Sequence, residues 1–353
     1  MTNGLKKLQV QGYDAAHVDN SASQSPSSPR DADDVTDSAS VSSSSTIDGA
    51  ETADGPSKIL LRQHKYDPTF TDKVIAATGP NAHPRLVEIM PSLVRHLHDF
   101  AREVNLTVGE WMSAVELIND SGRISDDRRN ETQLLCDIVG LETLVDEITS
   151  KALATSNHET PSAILGPFYR HDAPVLPNGS SIVRNLTPDV SWYEQAIRDS
   201  AYITGRVLSP QGEPIKGAIV DVWHTAPNGL YEQQDSSQPD MNLRGQFATD
   251  DEGRYAFYAL RPVAYPIPDD GPAGRLLKML DRHPYRPGHI HFIVSAKEHR
   301  TLTTQVFDDR DEYLLQDAVF AVKDELIVKF LPREGDPNAK WQLEYNFVLG
   351  KNE

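Results

Sequence analysis

The stretch RPGHIHF, residues 286–292, sets His289 and His291 one residue apart among apolar neighbours. On a strand, residues i and i+2 share a face, so both imidazoles point one way while Ile290 and Phe292 point the other. A second pair with the same spacing, His96 and His98 in LVRHLHDF, lies among apolar residues at helical spacing. Two helical residues span roughly 200° of rotation, so those rings diverge and read as surface or interface histidines. Only His289 and His291 are spaced to chelate. Such a pair is either a hydrogen-bonded structural feature or half of a metal site.

A tetrahedral zinc centre would call for Cys or further His nearby, and the single cysteine, Cys136, lies far away in a helical region. The surrounding segments offer tyrosines instead. Phenolate is a hard anionic oxygen suited to ferric iron, and tyrosine already serves as an iron ligand in haem proteins. An unperturbed phenol titrates near pH 10, but an adjacent trivalent cation strongly favours the phenolate.

The elements that must hold these groups follow from patterning. Beyond about residue 160, AYITGRVL, GAIVDVWH, GRYAFYAL, HIHFIVSA and LTTQVF read as strands, with turn chemistry in SPQGEP and DDEG. Short strands without intervening helical repeats predict an antiparallel sandwich or barrel. Before that, LTVGEWMSAVELINDSG carries a capping box, Thr107 with Glu110, and Gly122 suits a helix stop. RRNETQLLCDIVGLETLVDEI places Leu134, Leu135, Ile138, Leu141, Leu144, Val145 and Ile148 along one stripe, mostly as core. Residues 1–57 are rich in Ser, Asp and Ala, too poor in apolar side chains to offset the entropy of ordering. They read as a disordered tail, with a phosphorylated regulatory arm as the alternative. The expectation is an α+β protein: a helical subdomain over 58–160, then an antiparallel β-sandwich over 161–353.

Composition narrows the class. A net charge of −18 over 353 residues argues against a nucleic-acid partner. One cysteine cannot form an internal disulfide, which fits a reducing compartment. No apolar run is long enough for a signal peptide or a membrane span. A cytoplasmic location is expected.

Taken together, GAIVDVWHTAPNGLY, RPVAYPIPDDGP, HPYRPGHIHFIVSA and TLTTQVFDD, in that order, resemble the intradiol ring-cleavage dioxygenases. AILGPFY resembles the segment that opens the catalytic domain of that family, and the resemblance extends over about residues 60–350. It implies non-haem Fe(III) held by Tyr231, Tyr265, His289 and His291. It also implies Tyr265 as the phenolate that leaves the iron and accepts a substrate proton, Arg286 as the arginine facing the cleavage site, and Gln305 as a glutamine near the bound substrate. Ferric iron would act as a Lewis acid on a catechol-type dianion, with O2 as co-substrate. Extradiol cleavage, which uses Fe(II) with two His and a carboxylate, is set aside.

LLCD, with Leu134 and Asp137, and DAVFAVKDEL, with Val319, look more like the hydroxyquinol 1,2-dioxygenases within the family than like catechol enzymes. That implies benzene-1,2,4-triol as substrate, cleaved to 3-hydroxy-cis,cis-muconate and hence maleylacetate, with Asp137 reading the third hydroxyl. Ile164, Leu165, Gly166, Pro167, Ile267 and Pro268 match positions lining the family pocket. The helical region matches the family's dimerisation region, implying a homodimer. Two rivals stand beside this reading: a catechol or chlorocatechol 1,2-dioxygenase, and a non-catalytic transthyretin-like β-sandwich module, which ITGRVLSPQGEPIKGAIVDVW would also suit.

Overall fold

The computed structural model describes residues 67–126 and 129–352. The expected tail over 1–57, and the first residues of the helical part, lie outside the described residues. Thr71–Glu353 forms one compact unit; of the unit before it, Met1–Phe70, only residues 67–70 are described.

Among the described residues, five helices come first: α1 (Phe70–Ala76), α2 (Pro84–Glu103), α3 (Val108–Ile124), α4 (Glu131–Ile138) and α5 (Leu141–Leu153). The Thr107–Glu110 capping box opens α3 as expected. Gly122 does not end that helix, which runs on to Ile124. The stripe from Leu134 to Ile148 is not one helix either. Gly140 takes a left-handed φ of +74° and separates α4 from α5, a conformation that costs glycine no Cβ clash. The break divides the stripe in character: Leu134 and Ile138 are buried, while Leu141, Leu144, Val145 and Ile148 are exposed. No described helix is long and apolar enough to cross a membrane.

Among the described residues, two further helices, α6 (Tyr193–Arg198) and α7 (Pro272–Met279), accompany twelve strands. These are β1 (Ser200–Leu208), β2 (Ile219–Trp223), β3 (Arg244–Ala248), β4 (Arg254–Leu260), β5 (Tyr265–Pro266), β6 (Tyr285–Arg286), β7 (His289–Ser295), β8 (Leu302–Asp308), β9 (Ile327–Val328), β10 (Leu331–Pro332), β11 (Trp341–Glu344) and β12 (Phe347–Val348). All five runs expected as strands are strands. One sheet runs β10-β11-β1-β12 with β4 also on β1, the other β3-β2-β7-β8-β9, and β5 pairs with β6. Their inner faces share a core in which Ile203, Phe257 and Phe347 meet Val220, Ile290, Phe292 and Val306. The sandwich is not wholly antiparallel: β1 pairs parallel with β11 and β12, and β8 with β9. None of those pairs is joined by a tight hairpin, so no turn dictates their direction.

Helix α4 is pinned against this body. Glu131, fully buried, accepts from Arg129 Nε at 2.8 Å and from the Ala273 backbone N–H of α7 at 2.9 Å. Arg282 donates to the Ile138 carbonyl at 2.5 Å and the Ala318 carbonyl at 2.9 Å. The end of α4 and the segment around Val319 are thereby held to one side chain.

Candidate metal centre and pocket

Strand β7 alternates as its sequence predicts: Ile290 and Phe292 enter the sandwich core while His289 and His291 face away from it, all buried. Tyr265 stands on β5 opposite Arg286 on β6. Tyr231 follows β2 through a turn closed by Ala226 N–H to Leu230 O at 2.9 Å and Gly229 N–H to Ala226 O at 2.8 Å. Gly229 has φ +79°, and a Cβ there would stand 3.0 Å from Tyr265 Cβ, so this turn excludes other residues twice over. Gly166, φ +74°, lets a second loop approach His291, whose Cε1 would lie 3.3 Å from an added Cβ.

The four polar tips close a ring. Tyr231 Oη lies 3.1 Å from His291 Nε2 and 3.3 Å from Tyr265 Oη. His289 Nε2 lies 3.1 Å from His291 Nε2 and 3.4 Å from Tyr265 Oη. Flat or puckered, such a ring has a centre roughly 2.0–2.4 Å from each corner, comparable with metal–nitrogen and metal–oxygen bonds of about 2.0–2.2 Å. The charge states suit ligands as well. His289 Nδ1 donates to the Pro287 carbonyl at 2.7 Å, leaving a lone pair on Nε2. Burial, with the Arg286 charge added, holds His289 well below the ordinary imidazole range; burial and then His289 do the same to His291. Both rings are therefore neutral. Burial raises the Tyr231 hydroxyl well above its usual value, with Tyr265 adding to it, and burial also raises Tyr265 against the opposing pull of Arg286. Without a cation both phenols keep their protons; a trivalent ion at the centre reverses that balance. Among the described residues, no group of three or more His, Cys, Asp or Glu is placed to hold an ion. The phenol oxygens are the remaining donors, and the set fits ferric iron.

Aromatic packing fixes the ring from outside. Trp223 stacks on His291, centroids 4.7 Å apart and planes 7° from parallel, and Phe168 stacks on Tyr231 at 4.6 Å. The sequence signalled Phe168 only as part of AILGPFY and Trp223 only as part of GAIVDVWH.

Beside the ring opens a small pocket. Eight of the nine residues expected to line it do so: Leu134, Asp137, Ile164, Gly166, Pro167, Ile267, Pro268 and Val319, joined by Phe168, Tyr265 and Arg286. Leu165 does not; it packs with Phe168, Trp223, Tyr231 and Tyr265 behind the wall, because the loop bends at Gly166. Gln305 also stands back. It accepts from Arg286 Nη2 at 2.8 Å and donates to the Ile164 carbonyl at 2.6 Å, so it braces the arginine and the wall and does not line the pocket.

Arg286 is buried with its charge answered. Nε donates to Asp317 Oδ1 at 3.1 Å and Nη2 to Oδ2 at 3.2 Å, while Nη1 lies 3.1 Å from His289 Nε2. The same Asp317 carboxylate accepts from the backbone N–H of Val319 and Ala321 at 3.2 and 3.0 Å. Asp317 was not foreseen: it opens DAVFAVKDEL, but nothing local marks an aspartate that will pair 31 residues away. Asp137 is 2% exposed and its Oδ1 has no hydrogen-bond partner. Burial first, then the Glu142 carboxyl, holds it well above the usual carboxylate range, which favours its protonated form.

Known proteins share this plan. Residues 166–351 match the family described as dioxygenase, and residues 83–157 match the catechol dioxygenase N terminus. A catechol 1,2-dioxygenase of Candida albicans is 51% identical over 263 residues, 74% of this chain and 83% of its own. A hydroxyquinol 1,2-dioxygenase of a Rhizobium species is 40% identical over 290 residues, 79% of this chain and 94% of its own. The crystal structure of hydroxyquinol 1,2-dioxygenase from Pseudomonas putida superposes with a TM-score of 0.71 at 38% identity, covering 80% of this chain and 97% of that one. With both halves matched in order, the chain belongs to the intradiol ring-cleavage dioxygenases.

Proposed function

We propose that this enzyme cleaves hydroxyquinol between its adjacent hydroxyls, at ferric iron held by Tyr231, Tyr265, His289 and His291. The iron supplies Lewis acidity that favours binding of the catechol unit as a dianion and readies the ring for O2. The protein supplies the rest. Tyr265 belongs both to the ring of donors and to the pocket wall, which supports its Oη as the acceptor of a substrate proton. Arg286 presents a fixed cation to the same wall, suited to negative charge developing on the aromatic ring. Leu134, Ile164, Ile267, Pro268 and Val319 supply apolar walls that exclude water.

The observation that carries the substrate assignment is Asp137. The uncommitted Oδ1 of Asp137, buried in the pocket wall, can accept a hydrogen bond from a third hydroxyl. A site built to hydrogen-bond a hydroxyl discriminates strongly against a ligand lacking it. The test compares kcat/KM for hydroxyquinol and catechol in the parent and in Asp137→Ala. Parent preference for hydroxyquinol, lost selectively in the variant, is the expected result; a strong parent preference for catechol would overturn the assignment. The 51% identity to a catechol 1,2-dioxygenase supports that second reading, in which Asp137 serves the structure alone and its loss weakens both substrates equally.

The assembly is proposed as a homodimer through the helices. Helix α2 has no buried residue, and it exposes Leu86, Val87, Leu93, Leu97 and Phe100 at helical spacing. Patches of that kind mark association surfaces. Sedimentation at micromolar concentration tests this, with a monomer as the refuting result. The free Cys136 fits a cytoplasmic setting.

A further inference from the structure

Strand register places Arg244, Trp223, His291 and Gln305 in one row across β3, β2, β7 and β8, and directly opposed residues share a face. The row that contains His291 thus begins with a cation. The Arg244 guanidinium is buried and lies over the Tyr231 ring, 5.8 Å from its centroid. Its Nε reaches both oxygens of Glu232 at 2.8 Å, and Nη2 donates to Gln233 Oε1 at 3.2 Å. Glu232, buried too, also accepts from Arg170 Nη1 at 2.6 Å, and that nitrogen donates to Asp240 at 2.9 Å. A buried arginine–carboxylate pair recovers its desolvation cost poorly and is weak as a stabilising device. None of these residues lines the pocket. What the arginine does face is the π-system of Tyr231, where a cation is attracted to the ring and holds negative charge on it.

We propose that Arg244 sets how much charge Tyr231 donates to the metal, with Glu232 as the counter-charge that limits the effect and Arg170 as the clamp on Glu232. Arg244 acts through Tyr231 and is a positioning residue. The inference rests on Tyr231 being a ligand, as proposed above. The sign follows from electrostatics: a cation beside the phenolate stabilises its electrons and raises the energy needed to move one to iron, and a nearby anion opposes this.

The assay is the visible phenolate-to-iron absorption of protein loaded with Fe(III). If the parent lacks such a band, or Tyr231→Phe leaves it unchanged, the ligand reading fails and this inference with it. If the band answers to Tyr231, the charges can be tested alone. Arg244→Met moves it to longer wavelength, Glu232→Gln to shorter wavelength, and Arg244→Lys stays near the parent. General loosening of the site would move the first two in the same direction, so shifts of like sign, or none in either, overturn the inference while leaving the ligand assignment intact. Should Arg244→Met fail to fold, Glu232→Gln decides by itself: a shift to shorter wavelength supports the inference, and any other result refutes it.

Discussion

Replacing Arg286 removes two things at once, and the structure separates them. The guanidinium faces the pocket and also answers a carboxylate, Asp317, with which it shares two hydrogen bonds in a buried setting. With charge centres about 4 Å apart and an effective dielectric near 20, the attraction is about 4 kcal/mol. Removing one partner of such a pair costs about 3–5 kcal/mol, because the other charge is left buried and unmatched. Arg286→Met should therefore lose roughly that much in urea unfolding. Turnover should fall about 10²–10³-fold from the loss of a preorganised charge, with iron content retained. Adding Asp317→Asn removes the stranded charge while leaving one oxygen to accept from the Val319 or the Ala321 amide. The double variant should regain most of the stability and none of the turnover. Followed by tryptophan fluorescence in urea and by O2 consumption, two results refute the reasoning: a single variant within about 1 kcal/mol of the parent, or a double variant that recovers activity.

Other outcomes follow from the same geometry. Gly229→Ala forces a left-handed φ on a residue with a Cβ and presses it onto Tyr265, so it should cost about 1–3 kcal/mol and lower iron content, read by melting and metal analysis; unchanged iron would argue that the turn does not set the ring. Burial pushes Asp221 up to about 6, against hydrogen bonds from Gln246 and Tyr169. The folded chain thus holds that proton longer than the unfolded one, and the associated stability is present below pH about 4 and lost as pH rises through 6. Asp221→Asn should then be more stable than the parent by about 2–3 kcal/mol above pH 7, with no gap near pH 4; a gap independent of pH refutes it. Stripping iron with a chelator should bleach the protein and lower its melting temperature, and Fe(III) should restore both, since a ligand that binds only the folded state stabilises it. A melting temperature indifferent to iron would sink the assignment of the donor ring.

Much of the site was legible in the chain because its information is local. A strand period of two is enough to aim His289 and His291 together and to send Ile290 and Phe292 into the core, and a helix period makes the same spacing at His96 and His98 diverge. The turns in SPQGEP and DDEG, with Gly212 and Gly253 at positive φ, and the strand runs were likewise readable from their own neighbours. Tertiary structure decided what depends on distant partners. It brought Tyr231, Tyr265 and the two histidines to one ring, matched Arg286 with Asp317, and tied Gln305 to the arginine and to the Ile164 carbonyl. It also broke one apolar stripe at Gly140 into a buried half and an exposed half, because hydrophobic spacing states that a face is apolar but not what will cover it. Periodicity is written in adjacent residues; the pairing of buried charges is settled only when segments 30 or more residues apart compete for the same dehydrated space.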